Sequence, residues 1–280
     1  MEYKRILTTH SPTEIITSLI LMDRDRYAIT SSTDESIRIT NLVTEENRLS
    51  IPKTHDGGAN CLLLTAGGLI ASGGKDGSLK LFDTVIGRNK GVLLGHKGPI
   101  YSIVQPDLLM NYVITCSDDK TLIFWTLDHL QALKTVHSPS GRPIRALIKV
   151  PTFLLSQDNT SKEYKSTIYK AENFGGQIIT GNKKSSHILF ADHKIHLYNL
   201  NSSQIERSFA AHTGNVRCLQ IFQNYLLSSA EDHTLKIWDF FSGDNLTTVR
   251  TKESHVMRIF EGEFLVTGGI DFGIKFYDLG

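Results

Sequence analysis

No stretch of this chain approaches the ~18 consecutive apolar residues that a bilayer-crossing helix needs. The opening residues, MEYKRILTTH, lack the apolar centre of a secretory signal. Cysteine is scarce. Cys61, Cys116 and Cys218 form an odd set with no CxxC pair, and each sits in an apolar, strand-like stretch. They read as reduced core thiols in a reducing compartment, so the expected location is cytoplasmic or nuclear. A surplus of one charge is also missing. Thirty basic residues face 29 acidic ones, a net of +1, so the total supports neither nucleic acid nor an acidic membrane as a partner. What the chain does have is 40% apolar content over 280 residues, enough for a full core.

It also has an internal repeat. Asp34, Asp76, Asp119, Asp158, Asp192, Asp232 and Asp271 follow one another at intervals of 42, 43, 39, 34, 40 and 39 residues. Six positions after each stands Thr40, Phe82, Trp125, Tyr164, Tyr198, Trp238 or Tyr277, aromatic in all but the first. A period of roughly 40 residues implies a repeat fold in which neighbouring units share a core, so residues 1–280 read as a single domain.

Each unit is built of short alternating runs. The third and fifth residues after the aspartate are apolar in most copies: Ile37 and Ile39, Leu79 and Leu81, Leu122 and Phe124, Ile195 and Leu197, Leu235 and Ile237, Ile274 and Phe276. Between them lie Arg38, Lys80, His196, Lys236 and Lys275, with Ile123 as the exception. Period-2 alternation bounded by turn residues means antiparallel strands with one buried face and one partly wet face. The aspartate falls in the turn before that strand, where a carboxylate accepts backbone N–H groups and holds the turn closed. His10, His55, His96, His137, His212 and His255 start most units, and the fifth unit lacks such a histidine.

The segments GHKGPIYSI…SDDKTLIFWT and AHTGNVRCL…SAEDHTLKIWD resemble blades of the WD-repeat (WD40) family. The resemblance covers the whole chain and implies an all-β fold, a seven-bladed β-propeller, with six blades as the alternative. In that family a blade's His, Asp and Trp join a Ser or Thr in a buried hydrogen-bond network. His96, Asp119 and Trp125, and His212, Asp232 and Trp238, match it residue by residue. Phe82, Tyr198 and Tyr277 replace the tryptophan elsewhere, and Phe82 has no N–H to donate. The last unit ends after its aromatic strand, and YKRILTTH is a segment of the missing kind, so residues 1–9 are expected to form its outer strand. That closure removes two exposed sheet edges. Around Asp158 the usual apolar positions are Ser161 and Glu163. A fourth blade through KSTIYKAE and a fifth through GGQIITGN, SHILFAD, KIHLYNL and QIERSFA are expected there; if the two merge, the count is six.

Several apparent motifs dissolve into this frame. Gly176 to Ser185 looks like a phosphate loop, but Asn182 stands where the motif needs lysine, and strands follow instead of a helix. His187, His193 and His196 lack partners at zinc spacing. Recurrent His–Asp–Ser sets imitate a triad, yet a hydrolase needs one exposed nucleophile rather than near-identical copies in several blades. No enzyme activity, cofactor, metal or small-molecule substrate is expected.

Function in such folds sits on loops. The resemblance places exposed positions at the start of each innermost strand, here Thr17, Asn60, Tyr101, Arg145 and Arg217. It places others just before the turn aspartate, here Lys75, Asp118, Glu231 and Ile270. Tyrosine and arginine dominate binding hot spots, which favours Tyr101, Arg145 and Arg217. The strand ends WTLD, WDFF, FDTV and YDLG lack the WDxR pattern of one ubiquitin-ligase adaptor class, and the FRRG motif of phosphoinositide-binding propellers is absent. The expected function is a non-enzymatic scaffold that binds proteins or peptides within a larger complex. The alternative is a ribosome- or RNP-associated propeller. Residues 137–200 carry nine Lys/Arg against four Asp/Glu, and Lys183 and Lys184 would contact RNA there.

Overall fold

A computed structural model describes residues 14–23, 26–106, 111–151, 154 and 186–251, with the backbone of three further strands between 256 and 278. The described chain is β-sheet throughout. Sheet one is β1 (Ile16–Met22), β2 (Tyr27–Ser32), β3 (Ile37–Asn41) and β4 (Asn47–Ile51), paired in that order. Sheet two is β5 (Ala59–Leu64), β6 (Leu69–Gly74), β7 (Leu79–Asp83) and β8 (Asn89–Leu93). Sheet three is β9 (Ile100–Val104), β10 (Tyr112–Ser117), β11 (Thr121–Thr126) and β12 (Gln131–His137). These three belong to one compact unit, and a second unit begins at Ser138.

In the second unit, sheet four is β13 (Ala146–Lys149), β14 (His187–Ala191), β15 (Ile195–Asn199) and β16 (Gln204–Phe209). Sheet five is β17 (Val216–Phe222), β18 (Tyr225–Ala230), β19 (Thr234–Asp239) and β20 (Asn245–Arg250). Sheet six is β21 (Val256–Phe260), β22 (Phe264–Gly268) and β23 (Ile274–Asp278). All pairings are antiparallel between consecutive strands. Among the described residues there are thus five four-stranded sheets and one three-stranded sheet.

Sheet four corrects the expected strand order. GGQIITGN was expected ahead of SHILFAD, but β13 pairs directly with β14, Ala146 opposite Ala191 and Leu147 opposite Phe190. Both β13 residues are apolar and buried, so this strand supplies core that the polar stretch around Asp158 lacks. The two stretches assigned to separate blades therefore contribute strands to one sheet. Asp158, the KSTIYKAE strand and the closing strand at residues 1–9 lie outside the described residues.

The core lies between consecutive sheets. Ile29, Ile37 and Ile39 of sheet one pack with Leu62, Ile70 and Phe82 of sheet two. Leu79, Leu81 and Leu93 pack with Ile100, Val113 and Trp125 of sheet three. In the second unit, Leu189, Ile195 and Phe209 pack with Val216, Leu226 and Trp238. Strands covered on both sides lose the wet face that alternation implies. Ile123, the exception among the polar positions, is buried in this way. Cys61 and Cys116 are buried free thiols and Cys218 is half-buried; burial pushes the Cys61 thiol up to about 12, so it stays protonated and inert. Among the described residues no helix is long and apolar enough to cross a membrane.

Candidate protein-binding face

The frame of the face is the hydrogen-bond network at each turn aspartate. Asp119 Oδ1 accepts the Thr121 N–H at 3.0 Å and the Thr121 hydroxyl at 2.7 Å. Its Oδ2 accepts His96 Nδ1–H at 2.8 Å and the Lys97 N–H at 2.9 Å. On the far side of the ring, His96 Nε2 lies 2.7 Å from Thr115 Oγ1, which in turn accepts the Trp125 indole N–H at 2.8 Å. The indole can only donate, so the Thr115 hydroxyl passes its proton on to Nε2, and the ring is a neutral Nδ1–H tautomer. Sheet five repeats the chain through His212, Asp232, Thr234, Ser228 and Trp238. In sheet two the chain runs through His55, Asp76, Ser78 and Ser72 but stops there, because Phe82 has no donor. Burial outweighs the carboxylate and holds His55, His96 and His212 below their ordinary value.

Sheet four departs from the pattern. His137 is exposed at the end of β12, and the serine hydroxyls of Ser138 and Ser140 bind Asp192 Oδ2 instead, at 2.9 and 2.5 Å. Asp192 is fully buried and also accepts the Lys194 N–H at 2.7 Å. Burial alone would raise its carboxyl; the His196 ring, the two serines and the Lys194 N–H together hold it far below the usual range.

The varied residues sit on this frame at one recurring device. In sheets one, two, three and five the first two strands slip register by one residue. The residues passed over are Thr17, Asn60, Tyr101 and Arg217, each the second residue of its strand. A bulge residue leaves the pairing ladder and re-aims its side chain. Opposite each one, the residue before the aspartate donates its backbone N–H to the carbonyl two positions ahead of the bulge. Thr33 bonds Ile15, Lys75 bonds Gly58, Asp118 bonds Pro99 and Glu231 bonds Asn215, at 3.0–3.2 Å. The two sets of positions read from the sequence are therefore joined sheet by sheet.

Their side chains differ. The Tyr101 hydroxyl reaches Asp118 Oδ2 at 3.4 Å. Asn60 donates to the Ile100 carbonyl at 3.1 Å, and Thr17 donates to the Ala59 carbonyl, so both are partly spent holding the next strand. Lys75 is exposed. In the second unit the structure brings three of the residues together. Glu231 Oε1 accepts Arg145 Nη1 at 2.6 Å and also pairs with Arg217 Nη2, while its Oε2 accepts Asn215 Nδ2 at 2.8 Å. Burial disfavours the Glu231 carboxylate, but Arg217, Arg145 and Asn215 outweigh it and keep the group ionised. Ile270, Lys183 and Lys184 lie outside the described residues.

Solved structures share this fold. The WD40 β-propeller domain of Doa1 superposes with a TM-score of 0.72 at 17% identity, over 95% of this chain and 79% of that one. A chain of the mitotic checkpoint complex superposes with a TM-score of 0.75 at 14% identity, over 96% of this chain and 78% of that one. The sequence model of the family described as "WD domain, G-beta repeat" matches residues 47–83, 87–126 and 203–239. The chain carries WD40 repeats in three places.

Three curated proteins are similar to this chain. A p21-activated protein kinase-interacting protein 1-like protein of Danio rerio is 24% identical over 75% of this chain. Protein tipD of Dictyostelium discoideum is 22% identical over 80%, and the ribosome biogenesis protein YTM1 of Lodderomyces elongisporus 26% over 69%. The chain spans 60%, 40% and 36% of the length of these relatives. Two of the three histidines weighed as metal ligands are engaged elsewhere. His187 binds Glu206 at 2.8 Å and His196 binds Ser208 at 2.7 Å. Among the described residues no group of three or more His, Cys, Asp or Glu is placed to hold a metal. Sequence reasoning missed Ser138, Ser140 and Asn215. The serines stand 54 and 52 residues from Asp192, so no local spacing marks them.

Proposed function

We propose that this WD40 propeller is a non-enzymatic docking scaffold and a subunit of a multiprotein complex. The observation that carries this reading is the bulge device. A repeated hydrogen-bonded frame holds Thr17, Asn60, Tyr101 and Arg217 out of register, and each has a different chemistry. With Lys75 and Asp118 in the first unit, and with Arg145 and Glu231 in the second, they make a preformed surface on each unit that captures a protein or peptide with little rearrangement. The relatives named for a kinase partner and for ribosome biogenesis are consistent with work inside assemblies. Affinity capture with mass spectrometry, comparing the native chain with Tyr101→Ala and Arg217→Glu, tests it. Partners common to the native chain and absent from one variant support the reading; an unchanged partner list from both variants overturns it.

The YTM1 similarity favours a second reading, contact with RNA through Lys183 and Lys184 in a cytoplasmic or nuclear particle. Its mark is RNA binding that weakens steeply with salt and is lost in Lys183→Glu with Lys184→Glu.

A further inference from the structure

The fourth residue after the turn aspartate usually turns back to it. In sheet one Arg38 Nη2 pairs with Asp34 Oδ2 at 3.3 Å. In sheet two Lys80 Nζ lies 3.5 Å from Asp76 Oδ2 and donates to the Thr54 carbonyl at 2.6 Å, which closes the corner between the turn and the loop entering the sheet. In sheet four His196 Nε2 lies 3.5 Å from Asp192 Oδ2. Sheet three has the buried Ile123 there. Sheet five breaks the pattern. Its residue is Lys236, whose ammonium lies over the Trp238 ring, 5.6 Å from the centroid, and has no ion pair or hydrogen bond among the described residues. Asp232 does without it. Its Oδ1 accepts the Thr234 N–H at 3.1 Å and the Thr234 hydroxyl at 2.7 Å, and its Oδ2 accepts His212 Nδ1–H and the Thr213 N–H, both at 3.0 Å.

The corner that Lys80 closes in sheet two is open in sheet five. It is a pocket of about 460 Å³ between sheets four and five, wholly within the second unit. That volume falls within the range of about 300–1,000 Å³ typical of small-ligand sites. Half-buried Lys236 forms one wall, and exposed Lys194 of the β14–β15 turn forms another. The Lys194 ammonium also has no ion pair or hydrogen bond among the described residues. Ala210 and Ala211 of the loop from β16 to β17, with Thr248 of β20, complete the lining. Neither Arg145 nor any bulge residue lines it, so the pocket is separate from the docking face.

Two ammoniums without counter-ions beside a recess favour an anion. Asp232 limits how much charge that anion carries. Burial disfavours its ionised form, but Thr234, His212 and Thr213 outweigh burial and keep it charged. A phosphomonoester brings about 1.5 to 2 negative charges at neutral pH and would be repelled by that fixed carboxylate. A single charge fits better. A phosphodiester has one, but carries a substituent on each side. A carboxylate ends a chain, so it enters a recess end-on and lays its CH₂ groups against Ala210 and Ala211.

We propose that this pocket binds a carboxylate on a short aliphatic stem, with Lys194 and Lys236 as its cations. The proposal goes beyond the docking-scaffold reading and does not rest on it.

Reductive ¹³C-methylation of the full chain tests it, because methylated lysine keeps its charge. Lys194→Arg and Lys236→Arg each remove one NMR signal and so assign the pair. Titration with butyrate, or with the peptide acetyl-Gly-Gly-Glu-Gly-Gly-amide, should move both signals to saturation. Dimethyl phosphate and butyramide should bind at least about tenfold more weakly. Lys194→Gln, read on Lys236, and Lys236→Gln, read on Lys194, should each weaken binding about fivefold, with thermal unfolding showing both variants folded. Lys80→Gln, at the same place in sheet two, should leave binding unchanged. Saturation by the peptide alone supports the proposal and puts the carboxylate on a protein partner; saturation by butyrate supports it and admits a free acid. No saturable shift, equal shifts from butyramide or dimethyl phosphate, or binding that survives both lysine changes overturns it, and none of these outcomes touches the docking face.

Discussion

The indole N–H of Trp238 donates to Ser228 Oγ at 2.9 Å, and that hydroxyl is the link between the tryptophan and the rest of its blade. The same oxygen lies 2.7 Å from His212 Nε2, so one buried serine satisfies two buried groups. In sheet two the equivalent Ser72 serves His55 alone, because Phe82 replaces the tryptophan.

Ser228→Ala therefore strands two polar groups and Ser72→Ala strands one. An unsatisfied buried group costs about 1–3 kcal/mol. Urea unfolding should show Ser228→Ala losing roughly 2–5 kcal/mol and Ser72→Ala about half of that. Equal losses in the two variants would show that the tryptophan bond contributes nothing.

Acid should weaken the fold in two stages. His55, His96 and His212 sit below their ordinary 6.5 in the folded chain. The unfolded chain takes up protons first, so stability is full above about 6.5 and falls as pH drops from there toward the folded values. Asp76 comes next. Burial works against its charge, but Ser78 and His55 outweigh that and hold it at about 2, against 3.8 when free. Its contribution is present above 3.8 and disappears between 3.8 and about 2. The urea midpoint measured from pH 8 downward should begin to decline near 6.5; a flat profile down to pH 5 would rule out neutral buried histidines.

Asp192 is the anchor of sheet four. It is wholly buried and takes the Ser138 and Ser140 hydroxyls, which lie ahead of β13. Asp192→Ala should cost about 3–5 kcal/mol, since it frees both serines, the Lys194 N–H and the His196 ring together. Ser138→Ala leaves Ser140 in place and should cost only about 1 kcal/mol. Comparable chevron or equilibrium losses for the two would mean that the serine pair does not work through Asp192.

Glu231 invites an opposite comparison. Glu231→Ala leaves Arg145 and Arg217 facing each other without a shared anion, whereas Arg217→Ala leaves one satisfied pair. The first should be the more destabilising, by about 1 kcal/mol or more at low salt, and part of the difference should disappear at high salt. A ranking in the other order would show that Glu231 does not hold the arginines.

Much of this was readable in the chain. The turn aspartates announce themselves by interval, and the hydroxyl residues two places later, Ser36, Ser78, Thr121 and Thr234, are local partners that any reader of the turn can find. The tryptophan network follows from the blade pattern. Three features were not readable. The serines of Asp192 are brought in by a loop more than fifty residues away, and serine carries no marker of that distance. The pairing of β13 with β14 depends on which of two apolar runs wins the edge, a competition that strand propensity does not decide. The bridge from Arg145 to Glu231 crosses from one sheet to the next, so no periodicity within a blade predicts it.

The register slip at the head of the inner strands separates two demands that most protein positions must meet at once. A residue outside the ladder contributes little to which strand pairs with which, so its identity is open to change. In the first unit Thr17, Asn60 and Tyr101 occupy such places, and of the three Thr17 and Asn60 also bond the first strand of the next sheet. A library randomised at these three positions should consist mostly of chains that still fold, and its members should differ in what they capture. The chain carries, in effect, a small set of interchangeable letters on an alphabet-independent page.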